Sequence, residues 1–295
     1  IGQDTLLRWD ISPTGGIQGM WQMPIAGGTA PAYIPIIKAM REGLAGNRIS
    51  RVSGILNGTC NYILSTMRAT GREFGDVLKD AQDLGYAEAN PSFDIDGVDA
   101  AHKLTILASV AFGARINFKD VHVEGIRHVS ATDIQYADEF GYRIKLLGIA
   151  ECNDGMVSLR VSPCLITPDM PLAAVEGVFN AVVAEGDFVG RSVYEGRGAG
   201  ERPTASAVVA DIMDIAAGRK VHTYGVPIGA LRTLKVQPLD SRVGASYVRL
   251  TVVDRPGVFA DIATAFRDEA VSMESVIQRG RNANAKVNVV IVTHD

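Results

Sequence analysis

The 295-residue sequence is short of cysteine, of charge of one sign and of long apolar runs, and each shortage excludes something. Its three cysteines, Cys60, Cys152 and Cys164, are odd in number and far apart. They make neither a disulfide framework nor a metal-ligand cluster, and they fit a reducing cytoplasm. The histidines, His102, His122, His128, His222 and His294, lack metal-ligand spacing, and neither H-E-x-x-H nor C-x-x-C occurs. No metal site is expected from these residues. Lys and Arg number 29 against 33 Asp and Glu, a formal net charge of -4, with no basic block to follow a phosphate backbone. Nucleic acid is therefore not an expected partner. No apolar run approaches the roughly 20 residues of a membrane-spanning helix. Residues 1–10 lack the basic start and apolar stretch of a secretory signal, so a cytoplasmic location without membrane contact is expected. The glycine fingerprint G-x-G-x-x-G, the phosphate loop G-x-x-x-x-G-K-[ST] and the hydrolase elbow G-x-S-x-G are all missing from the sequence. The chain starts at Ile1, not Met, and 289–295 reads as an unfinished strand, so both ends are expected to be cut.

Hydrophobic residues make up 47% and charged residues 21%, enough for a sizeable core and for about two domains. Residues 1–24 hold both tryptophans, Trp9 and Trp21, and show no periodicity. From Ile34 the pattern sharpens. Helical spacing with Pro35 in the first turn predicts a helix over 34–44, ended by Gly46-Asn47. Alternation predicts a strand over 49–56, with Ile49, Arg51, Ser53 and Ile55 on one side and Val52 and Gly54 on the other. Asn57-Gly58-Thr59 reads as a turn in which Thr59 caps a helix over 61–68, stopped by Gly71. A helix over 73–84 has Phe74, Val77, Leu78 and Ala81 on its inner face, and Gly85 closes it. A polar loop over 88–96 leads into a helix over 98–112. Strands follow over 121–126, 142–150 and 156–165, helical spacing over 171–183, and a strand over 187–193. Gly196-Arg197-Gly198-Ala199-Gly200 is a glycine-rich loop before a helix over 204–217. Residues 221–245 read as a linker. After it, 246–295 reads as β-α-β-β, with strands over 247–253, 272–278 and 286–293 and a helix over 258–269. That is the front of a ferredoxin-like βαββαβ unit.

Chemistry concentrates between Gly85 and Lys103. Asp99 and Lys103 stand at i and i+4 of one helix, so their side chains are neighbours. The loop before it adds Glu88, Asp94 and Asp96. Several carboxylates beside one lysine suit the binding of an amino-acid ammonium group while the lysine handles a proton. The same residues also fit a solvated loop with an exposed Asp–Lys pair of little energetic weight. His102 lies about 100° round the helix from Lys103 and reads as structural. The glycine-rich loop either admits a phosphate or flat ring at a helix N-terminus or is a tight packing turn.

Three stretches together resemble homoserine dehydrogenases. They are Gly54-Ile55-Leu56-Asn57-Gly58-Thr59-Cys60-Asn61-Tyr62-Ile63-Leu64, the run from Gly85 to Lys103 with its Glu, Asp, Asp, Lys spacing, and the block from Gly196 to Val208. They stand in the family's order, and the resemblance covers 25–217. The tail from Ala245 resembles an ACT domain, an amino-acid-sensing module. The resemblance implies an α/β (α+β) catalytic and dimerisation domain over 25–220, with a mixed sheet and helices, then a partial ACT unit over 246–295. It implies NAD(P)-dependent interconversion of aspartate 4-semialdehyde and homoserine, with NADPH or NADH and a monovalent cation as cofactors. Lys103 then resembles the proton-exchanging lysine. Glu88 and Asp99 resemble the substrate-holding carboxylates, with Asp94 close by, and Gly58 and Thr59 lie near the substrate. Gly85 and Gly200 resemble residues that touch the nicotinamide cofactor. Several departures stand out: the family begins with a nucleotide-binding domain that carries the glycine fingerprint and a second active-site lysine, neither of which is expected in this sequence; Asn90 stands where the family usually has Asp; Gln22 stands where a cation-binding Glu is expected before Ala26-Gly27-Gly28; and 29–33 reads as an insertion.

Two readings follow. One is an oxidoreductase whose cofactor delivers hydride to an aldehyde while Lys103 supplies the proton. The other is a non-catalytic amino-acid-binding regulator built on a decayed catalytic region. The family pairs strands such as 142–150 and 156–165 across a two-fold axis, which implies a homodimer or larger homo-oligomer.

Overall fold

The computed structural model describes residues 34–238, 244–279 and 286–294. A seven-stranded mixed sheet forms the centre of the larger part. Its middle strand is β1 (Ile49–Ile55), antiparallel to β3 (Arg143–Asn153) on one side and to β5 (Phe179–Gly186) on the other. Beyond β3 lies β4 (Met156–Ile166), and beyond β5 lies β6 (Gly190–Arg197). On the outer side of β4, β2 (His122–Val123) and β7 (Lys235–Val236) pair in parallel.

The alternation expected for 49–56 holds from Arg51 on, but Ile49 joins the core of Val52 rather than that of Ile55, where the β1–β5 register shifts between Ile49 and Arg51. Val52 faces one core, which contains α2 (Gly58–Thr70) and α5 (Val98–Phe112). Ile55 faces a second, smaller core with Leu147, Ile149 and Val183. Residues 172–175 fold back over that second face. α5 buries Ala100, Ala101, Leu104, Leu107 and Ala108 at 0–1% exposure, which is why its expected and observed bounds coincide. The glycines Gly54 and Gly148 face each other across β1 and β3. A Cβ on Gly54 would stand 2.5 Å from the Ala181 carbonyl oxygen, and one on Gly148 would stand 2.6 Å from Leu56 Cδ1. The missing side chains let Leu56 settle onto the sheet at the exit of β1.

Several expectations need correction. The cap of α2 is Asn57, whose side-chain oxygen accepts from the Cys60 N–H at 2.8 Å. Thr59 lies inside the helix and donates instead to the Tyr86 carbonyl at 2.7 Å. Asn and Thr are both capping residues. The chain turns one residue pair earlier because Gly58 tolerates the approach of Val178 O, 2.7 Å from its would-be Cβ. The loop over 88–96 contains a one-turn helix, α4 (Ser92–Ile95), too short to leave a periodic signal. The strand expected over 121–126 has only the two residues of β2. The helical spacing over 171–183 resolves into a 3-10 turn (Pro171–Ala174) followed by β5. An interior strand is apolar on both sides, so Ala181 to Ala184 carry no period-2 signature. The strand expected over 187–193 is β6, displaced towards the glycine-rich loop.

α3 (Phe74–Asp83) buries Val77 and Ala81 and ends at Gly85, which takes the left-handed φ of +73° that glycine permits. Tyr86 N–H then bonds to Ala81 O at 2.8 Å and Gly85 N–H to Gln82 O at 3.0 Å, the pairing of a Schellman cap. Among the described residues the remaining α-helices of the larger part are α1 (Ile36–Lys38, continued as a π turn over Ala39–Gly43), α6 (Ala131–Glu139) and α7 (Glu201–Ala216). α7 buries no residue and is tied to α1 by the Lys38–Asp214 ion pair. The stretch 221–238 is strapped to the sheet through an Ala114–Arg232 bridge and β7.

The C-terminal unit runs β8 (Tyr247–Val253), α8 (Val258–Asp268), β9 (Met273–Gln278), β10 (Lys286–Thr293). Its sheet order is β8-β10-β9, with β10 antiparallel to both neighbours. This is the order of the first three strands of a ferredoxin-like sheet. It rests on α6: Tyr247 and Arg249 donate to Asp133, and Arg279 to Glu139. Among the described residues no helix is long and apolar enough to cross a membrane.

Candidate active site

The exit of β1 and the N-termini of α2, α4 and α5 meet at one place. Lys103 and Asp99 are both buried there, with 3% and 2% of their surface exposed. Lys103 Nζ donates to Asp99 Oδ2 at 2.6 Å and to the Leu56 carbonyl at 3.0 Å. The exposed surface pair is therefore excluded, since a buried ion pair survives only when its remaining polar atoms are satisfied. Asn57, a residue whose turn was legible but whose role was not, donates from Nδ2 to Asp94 Oδ1 at 2.7 Å and to Asp99 Oδ2 at 2.8 Å. Two carboxylates, one lysine and one neutral amide thus form a single cluster. Burial lifts the Asp94 carboxyl above its ordinary range, against the pull of the Asn57 hydrogen bond, and the neighbouring Asp99 lifts it further. Burial also pushes the Cys60 thiol well up, with Asp94 and Asp99 adding to it, so this cysteine stays protonated.

The other sequence-derived residues surround the cluster. Glu88 is exposed on the loop after α3 and close enough to Asp94 for its charge to be felt there. Thr59 ties the first turn of α2 to that loop. Asn180 of β5 packs between Gly58 and Gly198: its Oδ1 lies 3.2 Å and 2.3 Å from the Cβ positions those glycines leave vacant. The glycine-rich loop is thereby drawn to the N-terminus of α2. Gly200 has φ +111° and begins α7, and the space beside Gly85 is open. Asp96 turns away and pairs with Arg127 at 2.8 Å, which holds it below the usual carboxylate range. His102 stacks between Phe93 and Phe118, with ring centroids 5.9 Å and 4.1 Å away, as a structural residue would. Among the described residues no group of three or more His, Cys, Asp or Glu could hold a metal ion. Gln22 and Ala26-Gly27-Gly28, the stretch implied for a monovalent cation, lie outside the described residues, as does 1–24.

A second buried lysine had no sequence signal beyond its place in an apolar strand. Lys145 of β3 donates to Val175 O at 2.6 Å and to Asn61 Oδ1 at 3.1 Å, and burial holds it below the ordinary lysine value. Asn61 in turn donates to Val175 O and Gly177 O. Together they fasten the segment that covers the second core.

A sequence profile of the homoserine dehydrogenase family matches residues 35–213. The homoserine dehydrogenase of Neisseria gonorrhoeae is 48% identical over 280 residues, covering 93% of this chain and 63% of that protein. That of Pseudomonas aeruginosa is 45% identical over 286 residues, covering 95% and 65%. The crystal structure of a homoserine dehydrogenase from Thiobacillus denitrificans superposes with a TM-score of 0.83 at 46% identity, covering 90% of this chain and 62% of that one. A hyperthermophilic archaeal homoserine dehydrogenase, solved as a mutant in complex with NADPH, superposes with a TM-score of 0.55 at 32% identity, over 65% and 55% of the two chains. The chain thus spans less than two thirds of the length of these relatives. With three motifs converging on one buried Asp–Lys cluster, the chain belongs to the homoserine dehydrogenase family.

Proposed function

We propose that this chain carries the substrate-binding and proton-transfer part of a homoserine dehydrogenase, interconverting L-homoserine and L-aspartate 4-semialdehyde. The observation that supports it most is the buried Asp99–Lys103 pair at 2.6 Å, held from both sides by Leu56 O and Asn57. The nicotinamide cofactor, NADPH or NADH, supplies hydride chemistry at the substrate carbon when bound. Gly85 and Gly200 fit its approach, because neither presents a side chain and Gly200 opens the N-terminus of α7. Lys103 gives a proton to the developing alkoxide oxygen in reduction and takes it back in oxidation. Asp99 keeps the lysine in place, while Asp94 and Glu88 draw the substrate ammonium group. Gly58 and Thr59 line its backbone end at the N-terminus of α2, whose positive pole favours the carboxylate. The purely regulatory reading is not favoured, because a decayed site has little reason to keep the whole set of Glu88, Asp94, Asp99 and Lys103. We place the reaction in the cytoplasm, which the three free cysteines suit.

The C-terminal βαββ unit is read as part of an ACT-type effector module, and the protein as a homodimer assembled through its sheet. Homoserine-dependent reduction of NADP or NAD, abolished in Lys103→Met, is the test of the activity. A clean monomer by light scattering at micromolar concentration would sink the dimer.

A further inference from the structure

Asn57 is 5% exposed, and its side chain is fully engaged. Its Oδ1 accepts from Cys60 N–H at 2.8 Å, and its Nδ2 donates to Asp94 Oδ1 at 2.7 Å and Asp99 Oδ2 at 2.8 Å. The orientation of the amide follows from this network. Flipped, its oxygen would meet two carboxylates and its NH2 group a backbone N–H. A helix cap needs only the oxygen. Many residues could supply that, so the cap alone does not account for asparagine with both of its protons spent on carboxylates.

We propose that Asn57 is a positioning residue for proton transfer: its amide bridges Asp94 and Asp99, sets the direction of Asp99, and through Asp99 sets that of Lys103. This rests on the reading of Lys103 as the proton-transfer group. The bridging has a physical motive. Asp94 on α4 and Asp99 on α5 are like charges in a half-buried site, and such pairs tend to force one member to protonate. A neutral double donor between them favours both charged forms at once. One ammonium, Lys103, then stands against two carboxylates, with Glu88 from the loop after α3 as a third. The remaining titratable neighbour, Cys60 on α2, is protonated, and Asp96 is taken up by Arg127. The cluster therefore keeps a negative excess for an incoming ammonium group. Asp99 Oδ2, shared between Asn57 and Lys103, has little freedom to rotate.

Asn57→Asp and Asn57→Ser separate positioning from capping. Asp and Ser both cap helices as well as Asn does, so a capping role tolerates either. Ionised Asp offers no donor, and Ser at most one. Each variant is first checked for a native circular dichroism spectrum, and Ser stands in if the third carboxylate of Asn57→Asp prevents folding. The expected result is a fall in kcat for homoserine oxidation of about 10²-fold, the scale of a misplaced catalytic group, with the acid limb of the pH profile moved to higher pH. In parallel, NMR titration of 13C-labelled aspartate should show Asp94 protonating at higher pH than in the wild type. Turnover within twofold of wild type together with an unmoved Asp94 titration would overturn the proposal and leave Asn57 as a cap. If the wild-type protein does not turn over homoserine, the functional reading fails by itself. The titration then decides for or against the Asn57 bridge.

Discussion

At the residue scale, burial separates two lysines that a charge count treats alike. Lys79 stands exposed on α3, opposite the face that buries Val77 and Ala81. Lys103 is 3% exposed and shares Asp99 with Asn57. Lys103→Ala should lower kcat about 10²–10⁴-fold, the range for losing a positioned acid or base. It should also cost about 3–5 kcal/mol of stability by leaving the Asp99 carboxylate buried without its cation, as urea unfolding would measure. Lys79→Ala should change neither. Glu88→Ala should chiefly raise the KM for homoserine, because an exposed carboxylate that holds substrate acts alike in ground and transition states. Steady-state kinetics of the three variants is the check. Near-wild-type turnover in Lys103→Ala would remove that residue from its role.

At the scale of elements, the glycine pair at the β1–β3 ladder decides how the site is mounted. Gly148→Ala pushes on Leu56 Cδ1, the far end of a side chain that can yield. Gly54→Ala pushes on the Ala181 carbonyl of the neighbouring strand, which cannot move without breaking the ladder. Both should destabilise, Gly148→Ala by about 1–3 kcal/mol and Gly54→Ala by more. Equal chemical-denaturation midpoints for the two would contradict this account. Much of the element pattern was legible: α3, α5, β1 and the C-terminal strands match their expected spans closely; α3 buries Val77 and Ala81 and leaves Lys79 wet, while β1 keeps polar Ser50, Arg51 and Ser53 among its apolar residues. β5 was not legible, since a strand inside the sheet loses the alternation that marks it. α4 was hidden in a polar loop because a single turn carries no period.

At the scale of the molecule, the C-terminal unit is tied to α6 through two carboxylates, and Asp133 takes both Tyr247 and Arg249 while Glu139 takes Arg279. Burial alone would raise Asp133, but hydrogen bonds from Arg249, Ser130 and Tyr247 hold it below its ordinary value. A carboxyl depressed in the folded state stabilises fully above its unfolded pKa, about 3.9, and that stabilisation is lost as pH falls through the lower folded value. The docking of β8 on α6 should thus hold at neutral pH and weaken on acidification below the usual carboxylate range. Asp133→Asn should lower the melting temperature at neutral pH, and the gap to the wild type should close in acid. A gap independent of pH would rule out this linkage. Within the unit β10 is buried, but the helix that should cover the sheet is not: α8 buries no residue and Phe259 is 48% exposed. Hydrogen exchange is expected to find 247–294 the least protected stretch, and protection equal to that of α2 would contradict it.

The sequence by itself determined the family, the order of motifs and the residue types of the cluster, because spacing on a helix places Asp99 beside Lys103 whatever surrounds them. It also determined the βαββ order of the tail, where each element is amphipathic enough to announce itself. Only the tertiary structure decided that the Asp–Lys pair is buried. Burial comes from β1, α2 and α5 closing over it, and those contacts join residues far apart in the chain. The same packing gave Asn57 its two carboxylate partners, 37 and 42 residues away, a distance at which no local pattern reports. It also turned Asp96 outward to Arg127 and Asp94 inward, although the two stand only one residue apart on either side of Ile95. A one-turn helix rotates successive side chains by about 100°, and what lies on each side is fixed by the rest of the fold.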